Sequence, residues 1–408
     1  MNYYEHDKPT EASEIKADEA GATPAGGLSS EHGAPEVIGS EFAVAEDGAP
    51  LEERLEAIEE SKKGWFAYMK TRDFLIVLVL GQILSLCDTA TNTFSTLLVN
   101  QGTSIPAFQN FFNYAVLGII YTCYTLYKYG VKKWVRLIWK DGWKYIILSF
   151  LDVEGNYFTV LAYRYSTILS CQLIEFWAIV MVVIVSFLFL KVKYHPAQIL
   201  GILICVAGEG ILIASDHITG ADGPGVSRGN QIKGDLFALV GATFYGLDNV
   251  AEEFLVSKRP VYEVVGQLGF WGSIINGVQA AIFDRGSFQA ATWNGQVGGY
   301  LVGYTGFLTL FYSLAPLSFR MSSAAFFNIS LLTGSFWGTI IGIRVFGYTI
   351  YYLYPIAFVL IIIGLILYFI GKKVLGEAIK PWLGKGQLKG ISGLGTARRR
   401  AENPNAIV

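Results

Sequence analysis

Long apolar segments recur along the 408-residue chain, and they restrict its possible folds more than any other feature. A segment that crosses a bilayer must satisfy its backbone hydrogen bonds internally, so each apolar segment is predicted to be an α-helix. The composition agrees, because 52% of the residues are hydrophobic and only 16% are charged, which is little charge for the surface of a soluble protein. The chain is therefore predicted to be an all-α polytopic membrane protein.

Ten transmembrane helices are expected, flanked by two polar tails. The helices are predicted at residues 73–98, 106–128, 143–163, 167–190, 196–215, 232–257, 260–283, 296–315, 320–343 and 348–371. Residues 1–61 are rich in Glu, Ala, Gly and Ser, which predicts a disordered N-terminal tail, and residues 372–408 form a basic C-terminal tail. The first apolar segment follows a long acidic stretch, which argues against a cleavable signal peptide.

Lys and Arg residues are unevenly distributed between the two sides of this predicted bundle. They concentrate before the first helix and after the second, fourth, sixth and tenth helices, all on one side of the membrane. By the positive-inside rule, both termini are expected to be cytosolic. The plasma membrane and an endomembrane (Golgi, ER or vacuole) both remain open as locations.

An internal repeat is indicated by two similar stretches 160 residues apart. "DTATNTF" (88–94) in the first helix and "DNVAEEF" (248–254) in the sixth share Asp, a polar fifth residue and a final Phe. The repeats are predicted at 62–215 and 232–371, joined by a non-cytosolic loop at 216–231. Five helices per repeat is an odd number, so the two halves must be inverted. Inverted repeats are typical of secondary transporters that work by alternating access.

Polar side chains inside the third predicted helix point to a functional cavity. An ionised group at a helix centre costs roughly 2.5–3.5 kcal/mol on insertion scales, so Asp152 and Glu154 in one span require a reason. Asp152 and Asn156 are four residues apart and share a helix face, whereas Glu154 points to the opposite side. One face is expected to line a cavity and the other to pair with a neighbouring helix.

Further polar residues in three other helices complete the predicted substrate site. In addition to Asp152, Glu154 and Asn156, the candidates are Asp88, Asn92, Gln172, Glu175, Trp177, Asp248, Asn249 and Glu252. Glu252 has an alternative interpretation, an interfacial salt bridge with Lys258 or Arg259. Loss of hydration favours the protonated form of a buried carboxylate, so protons are candidate coupling partners.

Cationic side chains are scarce in the predicted spans away from the helix ends. A site for a phosphate-bearing anion would be expected to present basic groups, whereas an acidic, aromatic-rich cavity suits a neutral or cationic, ring-containing solute. No His lies at mid-membrane depth, and no glycine loop for phosphate binding is present. The chain is therefore not expected to be an enzyme or to hold a metal or cofactor. Lipids, but not nucleic acids, are expected partners, with a monomeric or homodimeric state.

Four stretches of the sequence resemble the solute carrier 35 family, F subfamily, of the drug/metabolite transporter superfamily. They are "DVEGNY" (152–157), "WAIVMVVIVSFLFLKVKY" (177–194), "GDLFALVGATFYGLDNVAEEF" (234–254) and "SLLTGSFWG" (330–338). The resemblance implies ten helices in two inverted halves around a cavity lined mainly by helices 1–4 and 6–9. It also implies uptake of purine-like or other heteroaromatic molecules, including queuine-type bases, although the wider family is known for nucleotide-sugar transport.

The leading hypothesis is a secondary transporter for a small polar, neutral or cationic heteroaromatic solute related to a nucleobase or nucleoside. Asp152, Glu154 and Glu175 would bind its polar edges or exchange a proton, and Trp177 with nearby tyrosines would stack on the ring. Two alternatives stay open. One is an exchanger of nucleotide sugars or other anionic metabolites in the secretory pathway, and the other is a non-transporting membrane scaffold or receptor.

Overall fold

A computed structural model describes residues 72–166, 171, 174–190, 194–219, 228–345, 347 and 352–370, and each regular element in these ranges is an α-helix. The helices are α1 (Arg72–Asn100), α2 (Pro106–Tyr129), α3 (Val131–Ala162), α4 (Trp177–Leu190), α5 (Pro196–Thr219), α6 (Arg228–Lys258), α7 (Val261–Phe283), α8 (Arg285–Ala290), α9 (Gly295–Met321), α10 (Ala324–Leu331), α11 (Gly334–Val345) and α12 (Leu353–Ile370). The two predicted tails lie outside the described residues.

Each predicted span has a helical counterpart, but several boundaries differ from the prediction. The helix α3 begins at Val131 rather than at 143. The prediction missed its first three turns because they are amphipathic and carry no apolar run. Polar helix ends also extend into the predicted loop at 216–231, of which only 220–227 lies outside the described residues. The span predicted at 320–343 is divided between α10 and α11 by a turn at Leu332 and Thr333.

By length and hydropathy, three helical stretches of the described residues could cross a membrane. They are Leu75–Asn100, Gly295–Met321 and Ala324–Val345, and shorter apolar stretches occur at Trp177–Leu190, Pro196–Gly208 and Pro355–Tyr368. Other predicted spans are less hydrophobic because they carry polar side chains that are buried within the bundle. The helix α7, for example, buries Glu263, Gln267, Asn276 and Gln279. Ten crossings therefore remain a prediction.

Close helix crossings organise the bundle. The helix α2 packs along α7, and α5 packs along α12. In the first pair a Cβ atom built on Gly269 would lie 2.3 Å from the backbone nitrogen of Gly118, and in the second a Cβ on Gly201 would lie 2.6 Å from the carbonyl oxygen of Gly364. Glycine at these crossings lets two backbones approach closely, as is common between membrane helices. The remaining long helices pack as α3 with α6, α1 with α9 and α4 with α6, around a central space.

Candidate functional site

A central cavity lies between the helices, and about 1000 Å³ of space among its lining residues is not filled by atoms, part of it open to solvent. Its walls come from α1, α3, α6, α9, α10 and α11, together with residues 175, 176, 178 and 179 around the start of α4.

Eight of the eleven predicted site residues line this one cavity: Asp88, Asn92, Asp152, Asn156, Glu175, Asp248, Asn249 and Glu252. Five of them are carboxylates, contributed by four different helical segments. The described lining residues include no Lys, Arg or His. The charge pattern expected from the sequence is thus present in the folded chain: acidic groups converge, and basic groups do not.

Glu154 and Trp177 are not among the cavity-lining residues. Glu154 accepts a hydrogen bond at Oε1 from Nε2 of Gln279 on α7 at 2.5 Å, which is the pairing with a neighbouring helix expected for the second face of α3. Trp177 is 40% exposed, and its indole nitrogen donates to Oγ1 of Thr243 at 3.2 Å.

Trp177 therefore does not lie on the wall of this cavity, and its stacking on a solute stays a prediction. Each residue of a helix is rotated by about 100° from the one before it. Glu175 and Phe176 line the cavity, and Trp177 lies outside its wall. The remaining candidate, Gln172, lies outside the described residues.

A hydrogen-bond network surrounds Asp152, which is only 1% exposed. Tyr114 donates to its Oδ2 atom at 2.8 Å, and Tyr312 donates to its Oδ1 atom at 2.5 Å. The Nδ2 atom of Asn156 donates to the same two tyrosine hydroxyls at 2.9 and 2.5 Å. The Oδ1 atom of Asn156 accepts from the Tyr245 hydroxyl at 3.1 Å. The network joins α2, α3, α6 and α9 at one point.

The other cavity carboxylates have fewer partners. Asp88 accepts from Nδ2 of Asn92 at 3.3 Å through Oδ2, and Glu175 accepts from the Tyr163 hydroxyl at 3.3 Å through Oε1. The Oδ1 atom of Asp248 and the Oε1 atom of Glu252 are buried and have no hydrogen-bond partner among the described residues. A buried polar atom without a partner is costly and uncommon, so it marks a position where a ligand group would be stabilising.

The alternative interpretation of Glu252 as part of an interfacial salt bridge is not supported. Arg259 pairs instead with Asp141 at 2.7 Å and with Glu263 at 3.7 Å. The hydrogen bond from Lys144, at 2.6 Å, together with the positive charges of Lys144 and Arg259, holds the pKa of Asp141 below its usual value. This charged cluster lies at the end of the bundle where α6 meets α7, and Glu252 faces the cavity.

Aromatic side chains form much of the cavity wall and were not predicted individually. They are Phe176, Tyr245, Tyr304, Phe311, Tyr312, Phe319 and Phe327. A signal for some of them was present in the sequence. Tyr245 precedes Asp248 by three residues and so shares its helix face. Along α9, steps of three and four residues connect a second set of lining residues: Tyr304, Leu308, Phe311, Ala315 and Phe319. Asn328, which accepts from Nδ2 of Asn249 at 3.2 Å, had no comparable signal.

An all-helical bundle with apolar helices around a central cavity of polar side chains is the architecture of a helical membrane transporter. The chain belongs to solute carrier family 35, F subfamily, whose family model matches residues 70–370. The resemblance noted in the sequence is thus confirmed. As a member of this family, the chain is an integral membrane transporter and not an enzyme.

Several known proteins are similar to the chain. A solute carrier family 35 member of Schizosaccharomyces pombe is 51% identical over 348 residues, which cover 85% of this chain and 67% of the relative. Solute carrier family 35 member F2 of Xenopus tropicalis is 31% identical over 302 residues, 73% of this chain and 77% of the relative. The mouse (Mus musculus) member F2 is 31% identical over 299 residues, covering 73% and 79%. One solved crystal structure has a TM-score of 0.50 at 19% identity, covers 70% of this chain and 95% of its own, and shows a likeness of fold alone.

Proposed function

We propose that this transporter moves a small, neutral or cationic heteroaromatic solute by alternating access. The observation that carries the proposal is the charge of the cavity: five carboxylates line it, and no cationic side chain does so in the described residues. Buried carboxylates are stable only when they are hydrogen-bonded, protonated or paired with a positive charge. A solute with N–H donors or a protonated amine supplies such partners, whereas the phosphates of a nucleotide sugar would be repelled by them.

A guanine-like base fits this cavity chemistry well. Its ring N–H and exocyclic amino group are adjacent donors, so one carboxylate can accept both in two parallel hydrogen bonds. A queuine-type base adds a protonated amine and therefore a positive charge. Tyr245, Tyr312 and Phe327 in the cavity wall provide aromatic surfaces for a flat ring. A nucleobase or nucleoside relative of this type is the proposed substrate class.

Alternating access by two inverted five-helix repeats is part of the proposal, and the packing of the helices supports it. The repeat pairs the second predicted span with the seventh and the fifth with the tenth, and these are the α2–α7 and α5–α12 contacts. The helix α1 packs on α10 and α11, as α6 packs on α4. Asp88 and Asp248, the first residues of the two repeated stretches, line the same cavity. We further propose cytosolic termini, with protons as the coupling ion to be tested.

Uptake into proteoliposomes tests the proposed function directly. The purified full-length chain is reconstituted and supplied with a radiolabelled queuine-type base, with and without an excess of unlabelled nucleotide sugars. Saturable uptake that nucleotide sugars do not inhibit is the expected result, and an imposed pH gradient shows whether protons are coupled. Uptake of a labelled nucleotide sugar instead would establish the anion exchanger, and no uptake of either solute would favour the scaffold.

Two conservative substitutions test the role of the carboxylates in the same assay. Asp152→Asn and Glu175→Gln each remove a negative charge from the cavity wall with little change of shape. Both are expected to lower uptake of the base by about tenfold or more. Glu175→Gln removes a charge-assisted hydrogen bond to the solute, which contributes roughly 1.5–3 kcal/mol, and Asp152→Asn disturbs the tyrosine hydroxyls that Asp152 holds in the cavity wall. Normal folding with normal uptake in both variants would contradict the assignment of an acidic substrate site.

A further inference from the structure

The five cavity carboxylates differ in how fully their hydrogen-bonding capacity is used. Asp152 accepts hydrogen bonds from Tyr114 and Tyr312, and Nδ2 of Asn156 lies 3.3 Å from its Oδ1 atom. A carboxylate offers about four acceptor positions, so most of those on Asp152 are occupied by protein groups. Asp248 and Glu252 represent the opposite case, since one oxygen of each is buried without a hydrogen-bond partner among the described residues.

Asp248 and Glu252 are also close to one another. They lie four residues apart on α6, which places them one above the other on the same helix face. Both line the cavity, and their exposed fractions are only 4% and 3%. Two like charges one helical turn apart repel each other, more strongly in a buried position than at a surface. A positive group between them would remove this repulsion and provide the missing hydrogen bonds to both side chains.

We propose that Asp248 and Glu252 together form the subsite for the amine or other cationic group of the solute, and that Asp152 is a positioning residue. The inference rests on the proposed function and assigns different roles to the cavity carboxylates. Asp152 holds the hydroxyl of Tyr312 directly and that of Tyr245 through Asn156, so it shapes the aromatic part of the wall. Asp248 and Glu252, each with one buried oxygen that has no partner among the described residues, determine whether a solute with a positive charge is preferred.

The test compares two solutes that differ in one charge. 7-Aminomethyl-7-deazaguanine carries a primary amine that is protonated at neutral pH, and 7-deazaguanine is its neutral parent. Uptake of each labelled solute is measured with the same batch of proteoliposomes containing the full-length chain, and the ratio of the two initial rates is compared between variants. This ratio does not depend on how much folded transporter a preparation contains.

The wild-type chain is expected to prefer the aminomethyl solute. Asp248→Asn and Glu252→Gln are each expected to lower the preference by about tenfold, because each removes a charge-assisted hydrogen bond to the amine. Asp152→Asn is expected to slow uptake of both solutes equally and to leave the ratio unchanged. Glu154→Gln is the matched control, since it neutralises an acidic residue that pairs with Gln279 outside the cavity.

Distinct results would overturn the inference and the function on which it rests. If the wild-type chain transports both solutes without preferring the amine, or if Asp248→Asn and Glu252→Gln keep the wild-type ratio, the subsite is wrong. If Asp152→Asn abolishes the preference, Asp152 contacts the amine and is not a positioning residue. Tyr312→Phe removes one donor to Asp152 without changing a charge. If Asp152→Asn fails to fold, the ratio of the two uptake rates is compared between Tyr312→Phe and the wild-type chain instead. If the wild-type chain transports neither solute, the proposed function fails and the subsite fails with it.

Discussion

The crossing of α2 and α7 leads to a quantitative prediction about stability. A Cβ atom at Gly269 would lie 2.3 Å from the backbone nitrogen of Gly118, and it would also meet the carbonyl carbon of Leu117 at 2.7 Å. Ordinary carbon contacts lie near 3.5 Å, so Gly269→Ala requires the two backbones to separate locally by about 1 Å. The neighbouring atoms are backbone atoms, which cannot rotate away as a flexible side chain would.

The expected cost of Gly269→Ala follows from this separation. Forcing one extra carbon into a well-packed contact costs about 1–3 kcal/mol, and a gap of this size weakens the dispersion contacts along the rest of the crossing. For a protein of this size each kcal/mol corresponds to roughly 2 °C, so the midpoint of thermal unfolding should fall by about 2–6 °C. Gly306→Ala on α9 is the matched control, because its Cβ atom would meet nothing within 4 Å.

The assay heats detergent-solubilised, fluorescently tagged protein and measures the fraction that still elutes as a folded species in size-exclusion chromatography. Gly269→Ala should lose this fraction at a lower temperature than the wild-type chain, and Gly306→Ala should match or slightly exceed the wild type, because alanine is the better helix former. An unchanged midpoint for Gly269→Ala, or an equal fall for both variants, would refute the argument from close backbone contact.

Two further predictions concern polar contacts outside the cavity. Arg259→Gln is expected to destabilise the fold by about 1–2 kcal/mol, because it removes the cation beside Glu263, whose side chain is only 2% exposed. Lys144→Gln, at a position 38% exposed, should cost less than Arg259→Gln in the same heating assay, and the reverse order would contradict the burial argument. Glu154→Gln should keep uptake within about twofold of the wild type and cost about 1 kcal/mol of stability, since it weakens only the bond from Gln279. A loss of uptake as large as that of a cavity variant would place Glu154 in the solute path.

The third predicted span illustrates how much of the site the sequence could determine. A spacing of four residues places Asp152 and Asn156 on one helix face and Glu154 on another, and the structure confirms this division. The inference needs only the helical repeat, so it does not depend on the surrounding helices. Trp177 shows where such reasoning stops. Its orientation depends on how its helix sits beside the cavity. A turn at Phe176 interrupts the fourth predicted span just before α4, and the spacing of polar residues does not indicate this turn.

The sequence by itself determined that the chain is a helical membrane protein whose predicted spans carry carboxylates but few cations, because hydrophobic length and residue content are local properties. Only the tertiary structure decided which carboxylates are satisfied by the protein. The partners of Asp152 are Tyr114 and Tyr312, which are 38 and 160 residues away along the chain. Asp248 and Glu252 look equally acidic in the sequence, yet no described group donates to Oδ1 of Asp248 or to Oε1 of Glu252. A carboxylate's capacity to bind a solute depends on the donors that folding brings to it, and such donors come from distant helices.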